Sequence, residues 1–403
     1  MLDQQSWTVL RRLTRWLDQF KDCFGHRAQH VSLRQYIDGL LGDSARKSMS
    51  AMLARVSDPT SYQAFQHFIT HAPWDATVLW RRLRAVTPER SGILILDETS
   101  FPKSGPHSVG VARQDCGALG KVANCQVAVT AARWTGQRAW PMGALLYLPE
   151  AWISDRVRRA TARIPATVVF QEKWRLALEM LDEMREWGVR VPLAVADAGY
   201  GEIGEFRQGL EDRGMDYVVQ VASSVTAYPE ATETTTPPYA GRGPRPQPRY
   251  EQAAPSVKDL VLAAGSRAAR RISWREGSRR RAGAPVAMRS RFVFLRVRPA
   301  GEAHRGTDLP VRWLIAEWPS RADEPTKYWI SNLPPRTTRA ELVRLAKLRW
   351  RIEHDYRELK DGLGLDHYEG RTWNGWHHHV TLASIAHAFL TLQRLNPKAH
   401  VPV

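Results

Sequence analysis

GILILDETSFPKSGPHSVGVARQDCGALGKVANCQVAVT, residues 92–130, holds the decisive pattern of this chain. An apolar, β-branched run ends on Asp97 and Glu98. A Gly-rich loop carrying Lys103, Arg113 and Lys121 then leads into a second apolar run. Runs of this kind bounded by Gly and Pro read as strands. The carboxylates therefore sit where a buried strand meets basic surroundings, and Glu98 points to the opposite face from Asp97 because side chains alternate along a strand.

Working outward, residues 1–88 read as helical. SYQAFQHFITHAP places Tyr62, Phe65, Phe68 and Ile69 at helical spacing, and DATVLWRRLRAVT sets Val78, Leu79 and Leu83 beside an Arg81, Arg82 and Arg84 face. Pro59 and Ser61 mark a stop and a cap. This region is either a DNA-contacting domain or a helical bundle whose arginines solvate it. After residue 92 come three strand-like runs, the helix QEKWRLALEMLDEMREWG, the strand VPLAVADAG ending on Asp197, a second helix and the strand DYVVQVAS. Three strands, helix, strand, helix, strand is the order of a ribonuclease-H-like core, and the fold class expected is α/β.

The stretch YPEATETTTPPYAGRGPRPQPRYEQAAP interrupts that order. It is rich in Pro, Gly and Thr and reads as a linker. Strand-like runs resume in RFVFLRVRP, VRWLIAEWP and KYWISNLP, followed by the long helix TRAELVRLAKLRWRIEHDYRELKDGLG and a final apolar helix. The expected organisation is an N-terminal all-helical domain (1–88), a first core segment (89–222), a basic β-rich insertion (223–335) and C-terminal core helices (336–403).

The chain has 403 residues, with 58 Lys and Arg against 41 Asp and Glu, a formal charge of +17 and a sequence pI near 10.2. Such an excess implies an acidic partner, and nucleic acid is the commonest, because neutralising phosphates releases counterions. Between Gly241 and Arg298, fifteen basic residues face three acids. The excess is thus concentrated in one segment that includes Arg279, Arg280 and Arg281. Cys23, Cys116 and Cys125 show neither CxxC nor zinc spacing. No run is long and apolar enough for a membrane span and no signal-peptide pattern opens the chain, so the location expected is cytoplasmic, on the nucleoid.

Three acids draw attention as metal ligands. Asp97 ends the first strand, Asp197 the fourth, and Glu353 lies in RWRIEHDYRELK. In a ribonuclease-H-like arrangement the first and fourth strands are neighbours, with a later helix packed near their ends. Hard oxygen ligands of this kind suit Mg2+, and a pair of such ions activates an attacking hydroxyl and stabilises the leaving oxygen in phosphoryl transfer. On a continuous helix at about 100° per residue, Arg349, Glu353 and Lys360 fall within about 40° of one another, with Arg357 nearby. An exposed helix laced with i,i+4 ion pairs gives the same pattern. The run His377, His378 and His379 reads as packing or exposure, since neighbours on a helix diverge by about 100°.

Four blocks, namely Asp97 to Val129, VADAGYG around Asp197, KYWISNLP, and RWRIEHDYRELKDGLGLDHYEGR, together resemble the DDE transposases of bacterial insertion sequences. Within that superfamily they are similar to the branch with a β-rich insertion between the second Asp and the Glu. The resemblance covers most of the chain. It implies that Asp97, Asp197 and Glu353 hold two Mg2+ ions, for which Mn2+ can substitute, and that Arg349 and Lys360 contact DNA phosphates. The Tyr of the family's Tyr, Arg, Glu, Lys signature is Ala346 here, and Tyr356 or Lys347 stand close enough in sequence to replace it. Similar enzymes cut double-stranded DNA at element ends, join the freed 3′-hydroxyl to a target, and act as homodimers on DNA. Some form hairpins in which a flipped base stacks on an aromatic of the insertion. Trp274 in RRISWREGSRRR is the candidate for that stacking, with core packing as its other reading. Lys103, Arg113, Lys121 and Arg357 are candidate DNA-backbone contacts. The function expected is cut-and-paste transposition; an endonuclease without strand joining and a domesticated DNA-binding protein are the rivals.

Overall fold

The computed structural model describes residues 4–88, 91–281, 284–301 and 309–395, without side-chain detail at 4–6, 276–281 and 284–286. The chain divides into two units, one of residues 1–92, 96–190 and 351–403, the other of residues 93–95 and 191–350.

The first unit opens with five helices: α1 (Gln4–Asp18), α2 (Arg27–Leu41), α3 (Met49–Leu53), α4 (Tyr62–Thr70) and α5 (Ala76–Val86). Ser61 caps α4 by accepting from the Ala64 N–H, and Asp75 caps α5 through Thr77. Phe65, Phe68, Ile69, Leu79 and Leu83 are buried, whereas Tyr62 is exposed. Arg84 departs from the exposed arginine face expected here, whether that face meets DNA or solvent. It is buried, its Nε donates to the Met142 carbonyl at 2.5 Å, and its guanidinium lies 4.2 Å from the Trp187 ring centroid, with Glu183 at 3.8 Å. Four residues after Trp80, it shares the buried stripe of the helix, and the flat cation satisfies a carbonyl there while stacking on an indole.

Four strands follow: β1 (Ser91–Pro102), β2 (Ala112–Cys116), β3 (Lys121–Trp134) and β4 (Ala139–Leu146). β3 lies beside β1 and pairs antiparallel with both β2 and β4, with Thr130 opposite Ala144. Residues Cys125 to Trp134 of β3 are all buried. Helices α6 (Glu150–Ser154), α7 (Arg156–Ala162) and α8 (Lys173–Glu186) come next, with α8 against β3 and β4. Gly143 leaves room where α8 crosses: a Cβ there would lie 2.4 Å from Met180 Sδ, so the Met180 side chain would have to shift. The final helix of this unit is the 23-residue α14, Trp373–Leu395, which packs on β4, α2, α4 and α5.

In the second unit, residues 93–95 of β1 border β5 (Arg190–Ala196), which runs parallel to β6 (Asp216–Val221). Between them stand α9 (Ala198–Gly201) and α10 (Gly204–Asp212). At Gly201 a Cβ would meet the Gln220 carbonyl oxygen at 2.0 Å, so only glycine lets α9 lie on β6. Residues 230–255 are largely without regular structure, as their Pro and Gly content predicts. The strands β7 (Ala227–Pro229), β8 (Arg270–Arg281), β9 (Ala284–Pro299), β10 (Arg312–Glu317) and β11 (Lys327–Ser331) continue the sheet of β5 and β6 in the order β6-β11-β10-β9-β7, and β8 pairs with β9. α11 (Val257–Ala264) and α12 (Arg339–Ala346) complete the unit, the latter against β6 and β8.

The sequence predicts one long helix over 338–364, but the structure breaks it. α12 ends at Ala346, residues 347–349 form a turn, α13 spans Trp350–Arg357, and Glu358–Gly362 is a π-helical turn. The break places Arg349 in the turn and Lys360 in the π turn, so the single helical stripe joining them to Glu353 does not exist. Leu342, Leu345, Leu348 and Ile352 are buried. The two apolar faces are satisfied separately, which the uninterrupted charge pattern of the sequence conceals.

Candidate active site

Asp97 sits within β1 and not at its end, since the strand runs on to Pro102. Its side chain is buried, with Oδ1 accepting the Glu98 N–H at 2.9 Å. Glu98 is turned to another neighbour: its Oε2 meets Lys173 Nζ at 2.6 Å, in keeping with the alternation expected of a strand. The Asp97 carbonyl accepts from Thr130 Oγ1 of β3 at 3.1 Å. The same Thr130 hydroxyl is hydrogen-bonded to the Tyr356 hydroxyl on α13.

Asp197 belongs to the second unit and follows β5 directly, at the entry to α9. Its Oδ1 is buried and has no hydrogen-bond partner among the described residues. Glu353, in the first unit, is exposed on the first turn of α13.

The cations distribute unevenly. Lys360 donates to the Ser100 carbonyl at 2.9 Å and lies 5.5 Å from the Phe101 ring centroid. Lys103 donates to the carbonyls of Tyr368 at 2.5 Å and Asp366 at 3.3 Å, and burial pulls its pKa down. Arg113, Lys121 and Arg357 are exposed, Arg113 on β2 opposite Asn124 and Lys121 on β3 opposite Cys116. Arg349, in the turn before α13, is half-buried. Trp274 is half-buried at a bulge of β8 between Ser273 and Arg275, edge-on to Phe292 at 5.8 Å. Arg279, Arg280 and Arg281 lie on β8, and their side chains fall outside the described residues.

Some organising residues were not singled out by sequence. Lys347, raised there only as a substitute for the missing Tyr, is half-buried. Its ammonium is 2.5 Å from Glu317 and 5.1 to 5.6 Å from the rings of Trp274, Trp329 and Phe292. The strand patterns carry those rings, but nothing in them shows that they surround one cation. Ala346, at the place of the family's Tyr, is buried.

Among the described residues, His354, Asp355 and Glu358 bring ligand atoms within 4.8 Å of one another. A protein cation, Arg394, already serves that cluster. Glu358 Oε2 is 2.5 Å from Arg394 and 3.4 Å from His387. Burial alone would raise the Glu358 pKa, but His387 and Arg394 hold its carboxyl down to about 2. Of the histidine run, His378 stacks on Trp74 with ring centroids 3.5 Å apart, and His379 stacks on Tyr368 at 5.1 Å. These are packing roles.

Two family models match this chain: one described as DDE superfamily endonuclease over residues 19–281, the other as Transposase DDE domain over residues 174–389. A probable transposase for insertion sequence element IS701 from Microchaete diplosiphon is 30% identical over 192 residues, 46% of this chain and 47% of that protein. The chain thus matches about half the length of that relative. A piggyBac transposase synaptic complex with hairpin DNA aligns over 98% of this chain and 75% of that one, with a TM-score of 0.41 and 10% identity, a likeness too low to carry an argument. With each family model spanning more than half of the 403 residues, the chain belongs to the DDE superfamily of insertion-sequence transposases.

Proposed function

We propose that this transposase cleaves DNA at the ends of its element and joins the freed 3′-hydroxyl to target DNA, a cut-and-paste reaction, with Asp97, Asp197 and Glu353 as its metal-holding carboxylates. The observation that carries the reading is Asp197 Oδ1, buried without a hydrogen bond among the described residues. An unpaired carboxylate oxygen withdrawn from water is costly unless a cation meets it. Asp97 supplies a second buried carboxylate, and exposed Glu353 a third. All are hard oxygen donors, which fit Mg2+ and admit Mn2+.

When bound, a pair of divalent ions would make water or a 3′-hydroxyl nucleophilic at neutral pH and would stabilise the departing oxygen. The chain's own contribution is to fix the carboxylates and bring cations to the DNA. The strand order β4-β3-β1 in the first unit and β1-β5-β6 in the second supports a ribonuclease-H-like core. In this reading α1–α5 form the DNA-binding domain of residues 1–88, the core spans 89–222 and 336–403, and the basic β-rich insertion is 223–335. Arg349, Arg357, Arg113, Lys121 and the Arg279 to Arg281 run contact the DNA backbone, Lys360 and Lys103 offer it the ammonium protons not given to main-chain carbonyls, and Trp274 stacks a flipped base. The chain acts as a homodimer on paired ends, in the nucleoid.

The test is a strand-cleavage assay on DNA carrying the element's ends, in Mg2+ or Mn2+, with the full chain. D97A, D197A and E353A are each expected to abolish cleavage while leaving DNA binding in a gel shift intact. Undiminished cutting by any of the three removes that residue from the site. The model that describes an endonuclease over residues 19–281 favours a second reading, cleavage without joining. Cut ends with no joined product when target DNA is supplied would select it.

A further inference from the structure

The hydroxyls of Thr130 and Tyr356 form a chain whose direction follows from proton count. A threonine hydroxyl has one proton to donate and two lone pairs. Thr130 Oγ1 gives its proton to the Asp97 carbonyl at 3.1 Å. The Tyr356 hydroxyl must therefore donate to Thr130 Oγ1. The chain runs Tyr356 O–H to Thr130 O–H to Asp97 C=O, linking α13 to the backbone of β1 at Asp97.

Two further features give this link a purpose. Tyr356 is three residues after Glu353 on α13, about 60° from it around the helix axis, so the tyrosine and the carboxylate move as one rigid turn. Beyond α13, Lys360 donates to the carbonyl of Ser100 at 2.9 Å, three residues along β1 from Asp97. The segment 353–360 is thus held to β1 at two points. Thr130 itself is buried in the wholly buried stretch of β3, where its hydroxyl has little freedom to choose other partners.

We propose that Thr130 and Tyr356 are positioning residues that hold the Glu353-bearing helix in register with Asp97, so that both carboxylates are presented to metal without reorganisation. The inference rests on the reading of Asp97 and Glu353 as metal ligands. Locking ligands before binding removes the conformational cost that a loose site incurs on each binding event. Loss of the link leaves both carboxylates present but releases α13 around its tie at Lys360.

The experiment uses the full-length chain and the variants Y356F, T130V and T130S. The first readout is hydrogen–deuterium exchange of the α13 amides in metal-free protein. The second is Mn2+ affinity without DNA, from the EPR signal of free Mn2+. The third is strand cleavage as a function of Mg2+ concentration. Y356F and T130V are expected to exchange α13 amides at least about tenfold faster and to weaken Mn2+ binding about tenfold, with little change in thermal unfolding. T130S retains both hydrogen bonds and is expected to behave as wild type. Wild-type exchange and Mn2+ affinity in both Y356F and T130V would overturn the proposal, as would equal defects in T130S and T130V. E353Q and D97N separate the two levels. If they retain wild-type Mn2+ affinity and cleavage, the metal site itself is misassigned. If they fail while Y356F and T130V are normal, only the positioning role is refuted.

Discussion

Acidification is expected to destabilise the first unit through His379, and the size of the effect can be worked from its surroundings. The imidazole is buried, with Nδ1 2.9 Å from the Tyr36 hydroxyl and Nε2 at 3.1 and 3.2 Å from the carbonyls of Gly364 and Leu365. Those contacts suit a neutral ring, with Nε2–H donating and Nδ1 accepting. Burial pulls the pKa from 6.5 to about 4, outweighing the two carbonyls, which favour the cation. Since the folded pKa lies below the unfolded one, the unfolded chain takes up the proton first as pH falls. The stabilisation is complete above about pH 6.5, shrinks between 6.5 and 4, and is gone below. At about 1.4 kcal/mol per pKa unit the loss is on the order of 3 kcal/mol, a large part of the roughly 5–15 kcal/mol that holds a domain folded. The assay is urea unfolding followed by fluorescence of the 16 tryptophans at pH 7, 6, 5 and 4.5, comparing wild type with H379Q, which cannot take a proton. H379Q should be less stable at pH 7 and show a shallower pH dependence. Equal slopes in the two proteins, or an NMR titration of His379 near 6.5, would refute the reasoning.

K347M should destabilise the second unit by about 3–5 kcal/mol, because it leaves Glu317 buried without its cation, whereas K347M/E317L should recover much of the loss; chemical denaturation of the three proteins checks this. Replacing Arg279, Arg280 and Arg281 by serine should weaken DNA binding and flatten the plot of log K against log salt by up to about three units, seen in fluorescence anisotropy from 50 to 200 mM salt. An unchanged slope removes these residues from the interface.

Much of this protein is legible in its sequence alone. The alternating and continuous apolar runs of β1, β3, β5 and β6 marked strands because a buried strand needs apolar side chains at every turn of its pleat. Ser61 announced the start of α4, since its hydroxyl supplies a local hydrogen bond that depends on sequence alone. The family blocks were equally visible. Less legible was anything that depends on which distant residue completes a contact. The helix carrying Glu353 looked continuous because periodicity reports the face of a helix and is blind to a break at 347–349 set by packing. Arg84 reads in sequence as part of an exposed arginine face, for DNA or for solvent, whereas Met142, Glu183 and Trp187 close around it.

The linear chain by itself determined the classes of chemistry present: basic charge for an acidic partner, and hard carboxylate oxygens at Asp97, Asp197 and Glu353. Side-chain type and local periodicity are carried by neighbours in sequence. Only the tertiary structure decided that Thr130, more than two hundred residues before Tyr356, joins that hydroxyl to the Asp97 backbone, and that Lys103 and Lys360 serve main-chain carbonyls. Hydrogen bonds act over about 3 Å, and no sequence spacing specifies which strangers the fold will bring that close.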